Sequence, residues 1–240
     1  MKKKILISLA ALLVSVIVWF LVWTQFYYTA NPDTLATVMN NKQLIITEDS
    51  DSISIVPASW TTQYTFIFYP WAKVDAHAYI AKLWKVAVDN TLKIIISKPP
   101  LHLQLFAINA AQKYTWDKII IWGHSLGGSM ACEYVKSHPQ SVWGMILMWA
   151  YCNWDITSQT WLKTLIIAWS NDGVLPIDKL HVYDFNLPTG YTFYTISWSA
   201  HAQFGDYGPQ KGDGISTVSD DNVVTQISQQ IGIFLEWMKK

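Results

Sequence analysis

The segment Gly123-His124-Ser125-Leu126-Gly127-Gly128 constrains this chain most. It joins the apolar run Lys118-Ile-Ile-Ile-Trp122 to a helix-forming stretch over 126–137. A strand that turns into a helix within so few residues holds Ser125 in a strained backbone conformation and pushes its Oγ out of the turn. Side chains at 123 and 127 would collide with the turn, which accounts for glycine at both. Glycine-rich turns before helices also bind phosphates, but the residues exclude both common forms. Gly128 is followed by Ser129 and Met130 where a Walker loop needs lysine and a hydroxyl, and His124-Ser125 break a G-x-G-x-x-G fingerprint. What remains is a nucleophilic serine, with a purely structural glycine turn as the alternative.

A nucleophilic serine needs a base and a carboxylate to orient it. In sheets that carry this elbow the acid precedes the histidine in the chain. Apolar strand-like runs at 164–169 and 191–198 lead into Ser170-Asn171-Asp172-Gly173 and Ser199-Ala200-His201. Asp172 and His201 therefore lie past the C-terminal ends of parallel strands, on the edge where Ser125 emerges. Asp155, after the run at 142–149, is the rival acid. An oxyanion hole requires two backbone N–H groups. One belongs to Leu126, after the serine and at the positive end of a helix. The other is expected from the loop Tyr69-Pro70-Trp71-Ala72-Lys73, where Pro70 has no N–H, leaving Trp71 or Ala72.

The rest of the chain reads as alternating strands and helices. Runs 43–47 and 52–56, separated by Glu48-Asp49-Ser50-Asp51, form a hairpin signal. Further strands are expected at 64–69, 91–96, 118–122, 142–149, 164–169 and 191–198, and helices at 32–40, 75–89, 103–114, 126–137 and 220–238, the last capped by Ser219. Continuous apolar strands alternating with helices imply a mostly parallel eight-stranded sheet covered on both faces, an α/β fold. Only residues 150–163 separate the sixth and seventh strands, too few for a large cap domain, so an open site is expected.

Before this domain stands a leader. Lys2, Lys3 and Lys4 precede an apolar run from Ile5 to Trp23 without a charge, long enough at about 1.5 Å per residue to cross a bilayer. It ends in Trp19, Trp23, Tyr27 and Tyr28, not in the small residues of a cleavage site, which favours a retained single-pass anchor over a cleaved signal peptide. The lysines would stay in the cytoplasm, placing the remainder outside the cell membrane. The expected division is residues 1–30 as anchor and flank and 31–240 as the folded domain, with the bilayer engaged through 5–23.

Charge narrows the partners. Seventeen lysines balance 17 acidic residues, with no arginine, leaving no basic stripe for nucleic acid. The two cysteines, Cys132 and Cys152, read as buried thiols. No cofactor is expected, and His77 with Asp75 lacks the ligand spacing of a metal site.

The chain resembles the α/β-hydrolases, and within them a small, often membrane-anchored group related to dienelactone hydrolases. The likeness rests on Phe68-Tyr-Pro-Trp-Ala-Lys-Val-Asp75, Gly123-His-Ser-Leu-Gly-Gly128, Ser170-Asn-Asp-Gly173 and His201-Ala-Gln-Phe-Gly-Asp-Tyr-Gly-Pro-Gln-Lys-Gly-Asp-Gly214. It implies the α/β-hydrolase fold and a Ser125, Asp172, His201 triad. Dienelactone hydrolases proper use cysteine as nucleophile, so their substrate is not carried over to a serine. The chain departs from the group at Trp71-Ala72, which replace a Gly-Gly pair, and at Trp198-Ser199-Ala200, where the group is glycine-rich; Trp71 is expected to crowd the second oxyanion donor. The expected activity is hydrolysis of a small acyl compound such as a carboxylic ester. A catalytically silent binding module on the same fold is the alternative.

Overall fold

The computed structural model describes residues 2–114, 117–175 and 177–239. Eight strands form one sheet: β1 (Leu44–Glu48), β2 (Ser52–Pro57), β3 (Tyr64–Tyr69), β4 (Lys93–Ser97), β5 (Lys118–His124), β6 (Val142–Met148), β7 (Lys163–Trp169) and β8 (Thr192–Ile196). Their spatial order is β1-β2-β4-β3-β5-β6-β7-β8. Strand β2 runs antiparallel to both β1 and β4, and all other neighbours are parallel. The hairpin turn is set by Asp49, whose Oδ1 accepts the N–H groups of Asp51 and Ser52 at 2.9 and 2.8 Å.

Helices α1 (Lys2–Thr24), α2 (Pro32–Met39), α3 (Ile80–Asn90), α4 (Leu126–Ser137), α5 (Ile177–His181) and α6 (Asp220–Met238) complete the regular structure. Asn31 caps α2 by accepting the Asp33 N–H, and Ser219 caps α6 by accepting that of Asn222. From β3 through α3 to β4 the chain moves one way across the sheet, and from β5 through α4 to β6 it moves the other. Right-handed crossovers in opposite directions put α3 and α4 on opposite faces. Both faces are thereby covered, which is why strands such as Ile119-Ile120-Ile121-Trp122 are buried throughout.

One expected helix is absent. Residues 103–114 form 3₁₀ turns, at Gln104–Phe106 and Ile108–Tyr114, after another at Pro100–His102. Leu101 and His102, at φ 56° and 55°, turn the chain just after Pro99-Pro100. The buried Gln104 side chain then holds Ala107 O at 2.7 Å, and the Tyr69 hydroxyl donates to Ile108 O while accepting the Ala111 N–H, so local ties replace α-helical bonds. The β6–β7 connection contains no helix, so no cap domain is inserted there.

The cysteines are not free thiols as expected. Cys132 on α4 and Cys152 after β6 form a disulfide, with Cα atoms 5.5 Å apart. Helix α4 and the end of β6 lie side by side, and this proximity is set by the fold, not by sequence spacing. The bridge closes a separation of 20 residues, for which the loop-entropy relation gives about 3 kcal/mol. Replacing both cysteines with alanine is expected to lower Tm by about 6–12 °C in differential scanning calorimetry.

Helix α1 is the one described helix long and apolar enough to cross a membrane, and none of its apolar stretch is buried in the domain. The segment after it does not hang free. Tyr28 pairs with Val74 as a parallel bridge, and the Asn31 N–H donates to Asp206 O at 2.9 Å. Residues 28–31 are thus packed on the domain, and a soluble form that keeps these bonds must begin before Tyr28, not at residue 31.

Candidate active site

Three connections at the C-terminal edge of the parallel strands carry the candidate residues. Ser125 follows β5 with φ 53° and ψ −123°, strained backbone for a residue with a side chain. Two close approaches explain its flanking glycines. A Cβ on Gly127 would stand 2.1 Å from Tyr69 O and 2.4 Å from Pro70 O, and one on Gly123 would stand 2.4 Å from the Gly127 carbonyl. The elbow is therefore pressed against the loop that leaves β3.

Asp172 follows β7 and His201 follows β8. Asp172 Oδ2 meets His201 Nδ1 at 2.5 Å, with both side chains fully buried. The other carboxylate oxygen accepts the N–H groups of Val174 and Leu175 at 2.7 and 2.8 Å, which fixes the carboxylate plane. Asp155, the rival acid, is exposed and accepts from Thr157 in its own turn. Because Nδ1 serves Asp172, the His201 lone pair lies on Nε2. That Nε2 is buried without a hydrogen-bond partner among the described residues, and no hydrogen bond joins it to Ser125 Oγ.

Trp71 explains much of that enclosure. Its indole meets the His201 ring edge-on at 5.0 Å between centroids and stacks at 6.3 Å with Tyr28. With no cap over the elbow, the expectation of an open site still fails at His201, whose buried ring packs against both Trp71 and His124. The Trp71 N–H donates to the Tyr79 hydroxyl at 3.1 Å. It is committed to that hydroxyl, which leaves Ala72 as the expected second donor to go with Leu126, whose N–H sits in the first turn of α4 without an intrahelical acceptor.

The Tyr79 hydroxyl also lies 3.1 Å from His124 Nδ1. Since it accepts from Trp71, its own proton is directed to His124, which holds that ring in the Nε2–H tautomer. Burial, reinforced by the neighbouring His201 imidazole 4.7 Å away, keeps the His124 pKa well below the usual histidine range. His124 is therefore a neutral wall beneath His201 rather than a second base.

A further residue not singled out in the sequence is Asp213. Its Oδ1 accepts from His201 N at 3.1 Å, Gly173 N at 3.2 Å and Gly214 N at 2.7 Å, and Oδ2 accepts from Ala202 N at 2.8 Å. One carboxylate thus pins the acid loop to the histidine loop.

His77 is held on both ring nitrogens, by Asp75 at 2.8 Å and Glu48 at 3.1 Å. The hydrogen bond that its ring donates to Asp75 is the main reason its pKa is raised to about 9. An imidazolium with both nitrogens committed offers no lone pair to a metal. A cavity of about 790 Å³ lies beside this histidine and His102 and is not lined by Ser125.

A protein-family model described as the alpha/beta hydrolase family matches residues 65–225. The chain belongs to that family. Solved structures with the same fold include a predicted CIB-like hydrolase from Thermoplasma acidophilum, 13% identical, covering 79% of this chain and 99% of that one at TM-score 0.59. An esterase from Pyrobaculum calidifontis, 10% identical, covers 85% and 90% at TM-score 0.59. Carboxyl esterase 2 from Tuber melanosporum, 8% identical, covers 87% and 91% at TM-score 0.60. Among curated proteins none matches the chain in sequence. Across this α/β-hydrolase sheet, the elbow and the ends of β7 and β8 place Ser125, Asp172 and His201 along one edge, and the identities are low enough that the likeness speaks for the fold alone.

Proposed function

We propose that the chain is a serine hydrolase acting on a carboxylic ester or related acyl compound, with Ser125, His201 and Asp172 as its triad. The observation that carries this reading is the buried 2.5 Å Asp172–His201 pair on the edge where the strained Ser125 emerges. A carboxylate ordered by two N–H groups and turned to a histidine ring is what a general base requires. His201 Nε2 takes the Ser125 proton as Oγ bonds to the carbonyl carbon. The N–H groups of Leu126 and Ala72 hold the oxyanion. The leaving alcohol departs with the proton from His201, and water, deprotonated by the same ring, then cleaves the acyl–serine bond to release the carboxylic acid and restore Ser125. Solved structures of the same fold include proteins named as esterases, which is in keeping with an ester as the substrate.

The domain is read as tethered by α1 on the extracytoplasmic side of a membrane, in keeping with the anchored group that the chain resembles. Lys2 to Lys4 precede the apolar span, and the Cys132–Cys152 disulfide suits an oxidising compartment. Removal of the leader as a signal would take away Tyr28 and its bonds to Lys73 and Asp75, which favours retention.

A second reading, a silent binding module, is favoured by one observation: His201 Nε2 is buried without a hydrogen-bond partner, Ser125 included, among the described residues. Labelling with a fluorophosphonate probe separates the two. The expected result is one adduct per chain, on Ser125 by peptide mass analysis, absent in Ser125→Ala. An unlabelled folded chain would give the binding module the stronger claim.

A further inference from the structure

The end of α1 and the residues after it are fastened to the loops that border the candidate site. Phe20 meets Phe106 edge-on at 6.4 Å, Lys73 Nζ lies 4.0 Å over the Trp23 ring, and Tyr27 stacks on His102 at 3.7 Å. Tyr28 N–H donates to Lys73 O at 2.8 Å, and its carbonyl accepts the Asp75 N–H at 2.9 Å, so the segment makes a single parallel bridge to the loop carrying Trp71 and Ala72. Trp71 in turn rests on His201.

These contacts fix depth as well as position. In a spanning helix the terminal aromatics mark the membrane interface. Phe20 lies four residues before the end of α1 at Thr24, about 6 Å inside it at 1.5 Å per residue. A group touching Phe20 therefore sits at or below the level where the helix leaves the bilayer. Phe106 is that group. It is 47% exposed and its neighbour Leu105 45%, so neither is covered by the domain. Phe106 lies on the side from which α1 arrives, with Leu105 next to it in the chain, and a bilayer surface at that depth would cover Phe106.

We propose that the oxyanion-loop side of the domain lies on the bilayer surface, held there by residues 20–31, and that the ester it cleaves is an amphiphile resident in that bilayer. This rests on the tethered-hydrolase reading above. The short path from Phe106 and His102 through the Lys73 loop to Trp71 and His201 places the scissile bond near the interface while an acyl chain stays in the lipid.

The test uses the full chain in phosphatidylcholine vesicles, with two readouts. For position, Phe106→Cys and, at the opposite edge of the sheet, the exposed Trp161→Cys carry an environment-sensitive fluorophore, and brominated lipid is added as quencher. Blue-shifted, quenched emission at 106 with aqueous emission at 161 is expected; aqueous emission at both overturns the proposal. For substrate class, the double variant Leu105→Asp with Phe106→Asp is compared with the unaltered chain on p-nitrophenyl butyrate in buffer and on 1-oleoylglycerol in the vesicles. The expected result is a loss of about tenfold or more on the bilayer-borne ester with the soluble ester unchanged. Equal effects on both esters, or on neither, overturn it. A chain inert to both esters and to the fluorophosphonate fails the hydrolase reading and takes the substrate half with it, while the fluorophore readout still decides the placement.

Discussion

Asp172→Asn is expected to lower kcat by about 10⁴-fold with little change in KM or in thermal unfolding. The carboxylate has two duties that the amide divides. Oδ1 accepts from Val174 and Leu175, and an asparagine oxygen serves those two N–H groups equally well. With the oxygen so engaged, the amide nitrogen must face His201 Nδ1, 2.5 Å from the atom it replaces. Two donors cannot share that contact, so the imidazole presents the Nδ1 lone pair and carries its proton on Nε2. A ring protonated there cannot accept the Ser125 proton. Steady-state hydrolysis of a soluble aryl ester, with unfolding followed alongside, measures both halves. A comparable loss in Asp155→Asn, with Asp172→Asn near normal, would move the acid role to the β6 loop.

The pairing of Asp172 with His201 was legible because both positions depend on chain order, one after the seventh strand and the other after the eighth. The elbow was legible because its steric demands fall within six consecutive residues. Strand positions from Tyr64 onward agree closely with the sequence pattern, since burial on both faces leaves uninterrupted apolar runs such as Tyr64–Tyr69. What the pattern could not carry are pairings between distant segments. Asp213 meets Gly173 from 40 residues away, and nothing in its neighbourhood marks it except the glycines on either side, Gly212 and Gly214. Tyr79 withdraws the Trp71 N–H through a bond that depends on how the turn before α3 packs under the loop. The turns at 100–114 defeat a helical reading because buried side-chain ties at Tyr69 and Gln104, not periodicity, decide the winding. The disulfide went unread for the same reason: it is a proximity, not a motif.

Gly127→Ala is expected to cost about 10²–10³ in kcat, roughly 3–4 kcal/mol of transition-state stabilisation, the penalty of losing one oxyanion donor. The added Cβ would stand 2.1 Å from Tyr69 O and 2.4 Å from Pro70 O. Both are backbone atoms where β3 ends, so no side chain can swing aside. Either the first turn of α4 or the loop must retreat by more than an ångström. The first contains Leu126 and the second Ala72, so each way of relieving the clash moves one N–H from the other. Tyr69 is held by hydrogen bonds of its hydroxyl to Ile108 and Ala111, and the loop beyond is tied by Tyr28, leaving little slack on that side. The loss should therefore fall on kcat and on the rate of fluorophosphonate labelling alike, because both need an oxyanion to form, while KM for a small ester changes little. Gly127→Ala with near-normal labelling and turnover would mean that the oxyanion is held by donors other than Leu126 and Ala72.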